Sequence, residues 1–163
     1  MGKIESAVSR VLRKFINPIP LSMEEVCTYF EIDLYFSNMK RYDAFYMTRG
    51  GRRIIVVKDS LIRSRQRFSI AHELGHAYLG HGPFNFSSVG SRPLWQEVEA
   101  NRFAAELLMP ANALSERLLP SERTPEQISR LCDVSLQAAR VRVEALGWDR
   151  AKVNRPQVAQ LAG

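Results

Sequence analysis

The 163-residue chain is 45% hydrophobic and carries a net charge of +6, with a sequence pI of about 9.7. That length predicts one domain, or a domain plus a small appendage, and the apolar content suffices for a packed core, which excludes a disordered chain. No window approaches the ~20 apolar residues of a membrane helix, and the positive excess is dispersed rather than gathered in a basic block, so charge alone is a weak argument for nucleic acid.

Lys3, Glu5, Arg10 and Arg13 interrupt the first apolar residues, so no signal peptide is expected. Cys27 and Cys132 form no CxxC pair, which fits a reduced, cytoplasmic setting. Ile4, Ala7, Val8, Val11, Leu12 and Phe15 recur at helical spacing and predict an amphipathic helix over 3–16, ended by Asn17-Pro18-Ile19-Pro20. Ser22 begins a capping box with Glu25 for a short helix to about residue 30. The apolar stripe of both helices reads as core, with a partner-binding face as the alternative use. Residues 32–36, 44–48 and 53–57 read as strands, and Gly50-Gly51 as the hairpin turn between the last two. Together they predict a small antiparallel sheet, one edge of which could pair with an extended peptide.

Residues 60–67 lead into FSIAHELGHAYLGH over 68–81, a helix expected to end near Gly80 or Gly82. His72 and His76 are four apart, so a helix points both imidazoles at one place. Two surface histidines would give the same spacing. Here Phe68, Ile70, Ala71, Leu74, Ala77, Tyr78 and Leu79 make the helix largely buried, where unpaired His and Glu are costly and a metal offers them a partner. Two neutral imidazoles with an open position describe a catalytic zinc site, one ion per chain. Glu73, one residue on from His72, is placed to act as general base on a water held there. Residues 81–93 form a Gly-, Ser- and Pro-rich loop long enough to be functional, a border of the cleft or a connector.

A third ligand is then required. The helix over 95–109 offers Glu97, Glu99 and Glu106. Glu97, Asn101, Ala104 and Leu108 share one stripe; Glu99, Arg102 and Glu106 share another, charged throughout and read as solvated. Glu97 is thus the inward acid, with Glu99 as the alternative ligand or else a rim residue and partner of Arg102. Asn101 is placed to hydrogen-bond a ligating imidazole. His81, Tyr46, Tyr78 and Tyr42 are candidates for an oxyanion donor or for the rim of the site.

After Pro110 a helix runs over 111–119. Thr124 caps another, with Pro125 at its first position and Ile128, Leu131 and Cys132 on its buried face. Asp133-Val134 turns the chain, Ser135 caps the next helix, and Gly147 closes it. This pair resembles a helix-turn-helix, with Arg140 and Arg142 on its second helix where DNA readers place their contacts. Scaffold or substrate docking is the competing use. The fold class is therefore α+β and mostly helical: a zincin-like unit over 1–120, a helical extension over 121–148 and a loosely ordered tail over 149–163.

RQRFSIAHELGHAYLGH followed by EVEANRFAAELLMP resembles the ImmA/IrrE family of bacterial metallopeptidases, over roughly residues 20–147. That resemblance implies zinc held by His72, His76 and Glu97, with Glu73 as the catalytic carboxylate, a gluzincin-like endopeptidase. It further implies a protein substrate, a helix-turn-helix repressor of the lambda-repressor type, cut to relieve repression of stress-response or mobile-element genes. The alternatives are a binding module that holds repressor or DNA around a structural metal, and a toxin-antitoxin component acting through DNA.

Overall fold

The computed structural model describes residues 2–16, 18–84 and 92–149. Residues 85–91 of the expected loop and residues 150–163 of the expected tail lie outside the described residues.

The elements run α1 Lys3–Leu12, α2 Met23–Tyr29, β1 Ile32–Ser37, β2 Ala44–Arg49, β3 Arg52–Lys58, α3 Arg63–Leu79, α4 Leu94–Leu108, α5 Ala111–Arg117, α6 Pro125–Cys132 and α7 Leu136–Ala145, with a 3-10 turn at Pro120–Glu122. The α+β class, mostly helical, is as expected. Helix α1 stops short of residue 16: the Lys14 and Phe15 amides donate to Val11 O and Leu12 O, three residues back, which tightens the last turn and ends the helix. The Ser22 hydroxyl accepts from the Glu25 amide at 3.2 Å and starts α2.

The sheet is mixed, and this corrects the antiparallel expectation. Strand order is β1-β3-β2, with β2 antiparallel to β3 and β1 parallel to it. The Gly50-Gly51 turn makes β3 the neighbour of β2, pairing Tyr46 with Ile55. Strand β3 then inserts between the other two instead of adding at an edge. Its run Ile54-Ile55-Val56-Val57 suits a central position, where β-branched side chains pack on both faces and both ladder edges are satisfied. Ile55 and Val57 are fully buried.

Helix α3 lies between the sheet and α4, and α1 packs on α4. One core cluster runs through all of these and on into Ile128, Cys132, Ala139 and Val143 of α6 and α7. Arg67 joins the two regions. Its guanidinium, on a residue 5% exposed, donates to Leu21 O at 2.9 Å, Asp133 O at 3.0 Å and Cys132 O at 3.2 Å. Cys132 ends α6, so Arg67 satisfies carbonyls that a helix terminus leaves without partners. Among the described residues, no helix is long and apolar enough to cross a membrane.

Candidate metal centre

His72 and His76 stand four residues apart on α3, and Glu97 enters from the first turn of α4. His72 Nε2 and His76 Nε2 are 3.0 Å apart. Glu97 Oε2 lies 3.2 Å from His72 Nε2, and Glu97 Oε1 lies 3.4 Å from His76 Nε2. A tetrahedral cation with bonds of about 2.0 Å has ligand-to-ligand edges of roughly 3.3 Å. The three separations bracket that edge, so these residues could hold a metal without rearrangement. Exposure grades across the group: His76 is fully buried, the His72 side chain is 16% exposed and that of Glu97 35%. The open side is therefore the Glu97 and His72 side.

The group's surroundings prepare it for a cation. His72 Nδ1 lies 2.9 Å from Asn101 Oδ1, one turn along α4 from Glu97. With that oxygen accepting, His72 carries its hydrogen on Nδ1 and turns a lone pair inward from Nε2. Burial first, then the charges of Arg92, His72 and His81, push the His76 imidazole down to about 2. It is thus the neutral ring that a metal ligand must be.

Glu73, 5% exposed, points back toward the sheet. Its Oε2 accepts from the main-chain N–H of Tyr46 at 2.9 Å and lies 3.5 Å from Arg92 Nη1. Burial raises the Glu73 carboxyl above its ordinary value; Arg92, His72 and the Tyr46 N–H oppose that rise by favouring the charged form. No sequence signal marks Arg92, which stands alone in a loop with no spacing to single it out. Its side chain is 12% exposed, its Nη2 reaches Gly82 O at 3.5 Å, and its guanidinium lies over the Phe84 ring. Among the described residues, the buried Arg92 Nε has no partner.

The other candidates separate. Tyr46 serves through its main chain, the ring being buried in the core, and its carbonyl accepts from the Phe84 amide at 2.7 Å. Tyr78 stands between Phe30 and Phe103, with ring centroids 5.6 Å and 5.5 Å away. Tyr42 packs edge-on to Phe84 and lines the cleft. His81 is packed behind His76, its Nδ1 3.0 Å from His76 Nδ1. Glu99 does not pair with Arg102: it meets His81 at 3.0 Å, while Arg102 reaches Glu5 of α1 at 3.3 Å. Nor is Glu106 solvated, since its side chain is 13% exposed and pairs with Arg142 of α7. Of the stripe read as exposed, Glu99 and Glu106 are thus used inside the fold while Arg102 stays exposed, and Arg142 is spent on the Glu106 contact, which leaves Arg140 as the exposed arginine of the two.

A cleft of about 1730 Å³ opens on His72, Glu73 and Asn101 and continues between α1, α3 and α4 to Val141 on α7.

Residues 27–144 match the Peptidase_M78 family model, described as the IrrE N-terminal-like domain. A relative from Bacillus phage phi105, called uncharacterized immunity region protein 2, is 33% identical over 118 residues, covering 69% of this chain and 72% of the relative. A solved structure of a Mycobacterium tuberculosis transcriptional regulator superposes with a TM-score of 0.61 at 16% identity, covering 88% of this chain. The chain spans about half of that regulator's length, 47%. With the family model covering most of the chain and a phage immunity-region relative beside it, the chain belongs to the ImmA/IrrE family through its IrrE N-terminal-like domain.

Proposed function

We propose that this chain is a zinc-dependent endopeptidase that cuts a regulatory protein. The observation that carries this reading is the convergence of His72, His76 and Glu97 at tetrahedral spacing, with Glu73 next to His72 in the wall of a cleft. Two imidazoles and one carboxylate favour zinc over harder cations. Zinc held there would supply Lewis acidity to a scissile carbonyl and to water. Glu73 takes the water's proton at Oε1, the oxygen that Tyr46 and Arg92 leave free, and passes it to the leaving amine. Burial strengthens Glu73 as a base, while Arg92 and the Tyr46 amide favour its charged form. Arg92, beside Glu73, joins Tyr42 as a donor for the developing oxyanion. A substrate entering as an extended strand meets the outer edge of β2 near Ala44, because the main-chain groups of Tyr46 are taken by Glu73 and Phe84.

The substrate we favour is a cognate helix-turn-helix repressor, whose loss relieves repression of stress-response or mobile-element genes. The phage immunity-region relative and the transcriptional-regulator neighbour support a regulatory setting. Pulldown with a repressor encoded beside this chain, followed by mass mapping of termini, tests it. One defined cut, absent with Glu73→Gln, is expected. Recovery of uncut repressor from a zinc-loaded protein would overturn proteolysis. The metal is checked separately by elemental analysis, with about one zinc per chain expected in the wild type and none in Glu97→Ala.

A second reading is a module that only holds its partner. One observation favours it: the cleft runs well past the metal centre to α7. Glu73→Gln separates the two, since holding survives the change and cutting does not.

A further inference from the structure

Behind His76 lies a chain of side chains that the proposed reaction does not use. His76 turns Nε2 toward His72 and Glu97, and Nδ1 the other way, onto His81 Nδ1 at 3.0 Å. His81 Nε2 in turn lies 3.0 Å from Glu99 Oε2. The two rings are closed to water, His76 fully buried and the His81 side chain 3% exposed, with Trp95 edge-on to the His81 ring at a centroid distance of 5.4 Å; the Glu99 end is 30% exposed. It is also built into the backbone. Gly80 ends α3 in the left-handed conformation, φ 75°, which a side chain would strain. The His81 amide then donates back to His76 O at 3.0 Å, and this reversal brings a ring five residues on against the ring of His76.

Proton counting leaves one arrangement for the neutral rings. A carboxylate only accepts, so His81 carries its hydrogen on Nε2. Its Nδ1 is then a lone pair and accepts. His76 must therefore donate from Nδ1, which leaves its Nε2 bare and facing the other two donors.

We propose that His81 and Glu99 are positioning residues for the metal centre: they hold His76 as the Nδ1–H tautomer and present its Nε2 to the cation. The proposal rests on the metal-centre reading and deepens it. The two ligating rings are supported unequally, His72 by the neutral amide of Asn101 and His76 by a buried imidazole that a carboxylate backs in turn. A carboxylate at the far end of such a relay also strengthens the ring as a donor.

Two measurements on the full-length, zinc-loaded protein test it. Long-range 1H–15N spectra of the histidines should show His76 protonated at Nδ1 and His81 at Nε2. Zinc competition with a chromophoric chelator should show affinity weakened by about 10–100-fold in His81→Ala and Glu99→Leu. Glu99→Gln keeps an acceptor for His81 but loses the carboxylate charge, so its zinc affinity should fall between those of the wild type and Glu99→Leu. A hydrogen on Nε2 of His76, or zinc affinity of His81→Ala within about twofold of wild type, would overturn the proposal. The wild-type spectrum decides even if a variant fails to fold. Failure of the wild type to bind zinc sinks the metal centre itself, and this proposal with it; tight binding with indifferent variants sinks this proposal alone.

Discussion

Gly75 of α3 and Ala100 of α4 meet so closely that a Cβ on Gly75 would stand 3.2 Å from the Ala100 Cα, and equally close to Phe103 Cβ and Cδ1. The nearest atom is backbone, and Phe103 is 1% exposed in the core, so neither neighbour yields cheaply. The same approach sets how far Glu97 lies from His72 and His76. Gly75→Ala gains about 1 kcal/mol of helix propensity but must push the packed helices α3 and α4 apart, at a cost of about 1–3 kcal/mol. We expect a net loss of about 1 kcal/mol by urea unfolding, together with weaker zinc binding, because the ligand set opens. A variant at least as stable as wild type with unchanged zinc affinity would show that the helices are free to move.

Arg92 beside Glu73 gives a prediction of definite sign. Burial lifts the Glu73 carboxyl and Arg92 opposes the lift. Arg92→Met removes that opposition, so the midpoint of Glu73 rises further. Below its midpoint Glu73 is protonated and takes up no proton, and activity should therefore fall more at pH 6 than at pH 8. Carbon-detected titration of the Glu73 carboxyl checks the shift without any substrate. An unmoved midpoint would mean that the guanidinium does not act on this carboxylate.

How far these features can be read from the sequence depends on whether they are local. The His72, Glu73, His76 spacing is a property of one helix, and the Glu97–Asn101 stripe is a property of another, so helical geometry alone is enough to single them out. The caps at Ser22, Thr124 and Ser135 are equally local, each side chain accepting from an amide three residues on. What periodicity does not carry is the partner across space. A shared helix face assigns Glu99 to Arg102, yet the turn at Gly80 sends His81 to Glu99. A charged stripe places Glu106 in solvent, yet α7 folds back to cover it. The place of β3 between β1 and β2 follows from competition among strands, which no single strand's pattern states.

The two thiols offer a test of the core against pH. Cys27 and Cys132 are at most 1% exposed, and burial pushes each thiol up to about 12. In the unfolded chain a thiol ionises near about 8.5. A folded value above the unfolded one contributes stability that is complete below about pH 8.5 and is lost as pH rises toward 12. The loss should reach about 2 kcal/mol per thiol at pH 10. The Cys27→Ala, Cys132→Ala double variant lacks this contribution, so its deficit in urea midpoint relative to wild type should narrow from pH 7 to pH 10. Parallel profiles would show that the thiols ionise as easily folded as unfolded. Native protein should also resist thiol-labelling reagents at pH 8 and react fully in denaturant.

The pair between Arg142 of α7 and Glu106 of α4 is covered on both sides, with side chains 11% and 13% exposed. Arg142 Nε also donates to Met109 O at 3.0 Å, and Glu106 Oε1 accepts from the Ala111 amide at 3.3 Å. One ion pair therefore ties the end of α4, the start of α5 and the body of α7. Removing one partner leaves the other charge covered and uncompensated, which costs about 3 kcal/mol for such pairs. Arg142→Met and Glu106→Leu should each approach that loss, and the double variant should recover much of it, since two apolar side chains leave no orphan charge. A double-mutant cycle in urea gives the coupling directly. Single losses below about 1 kcal/mol would return the pair to the solvated surface class and free Arg142 to contact DNA beside Arg140. In that case the binding-module reading gains ground, and salt-dependent binding to a promoter fragment becomes the measurement to make next.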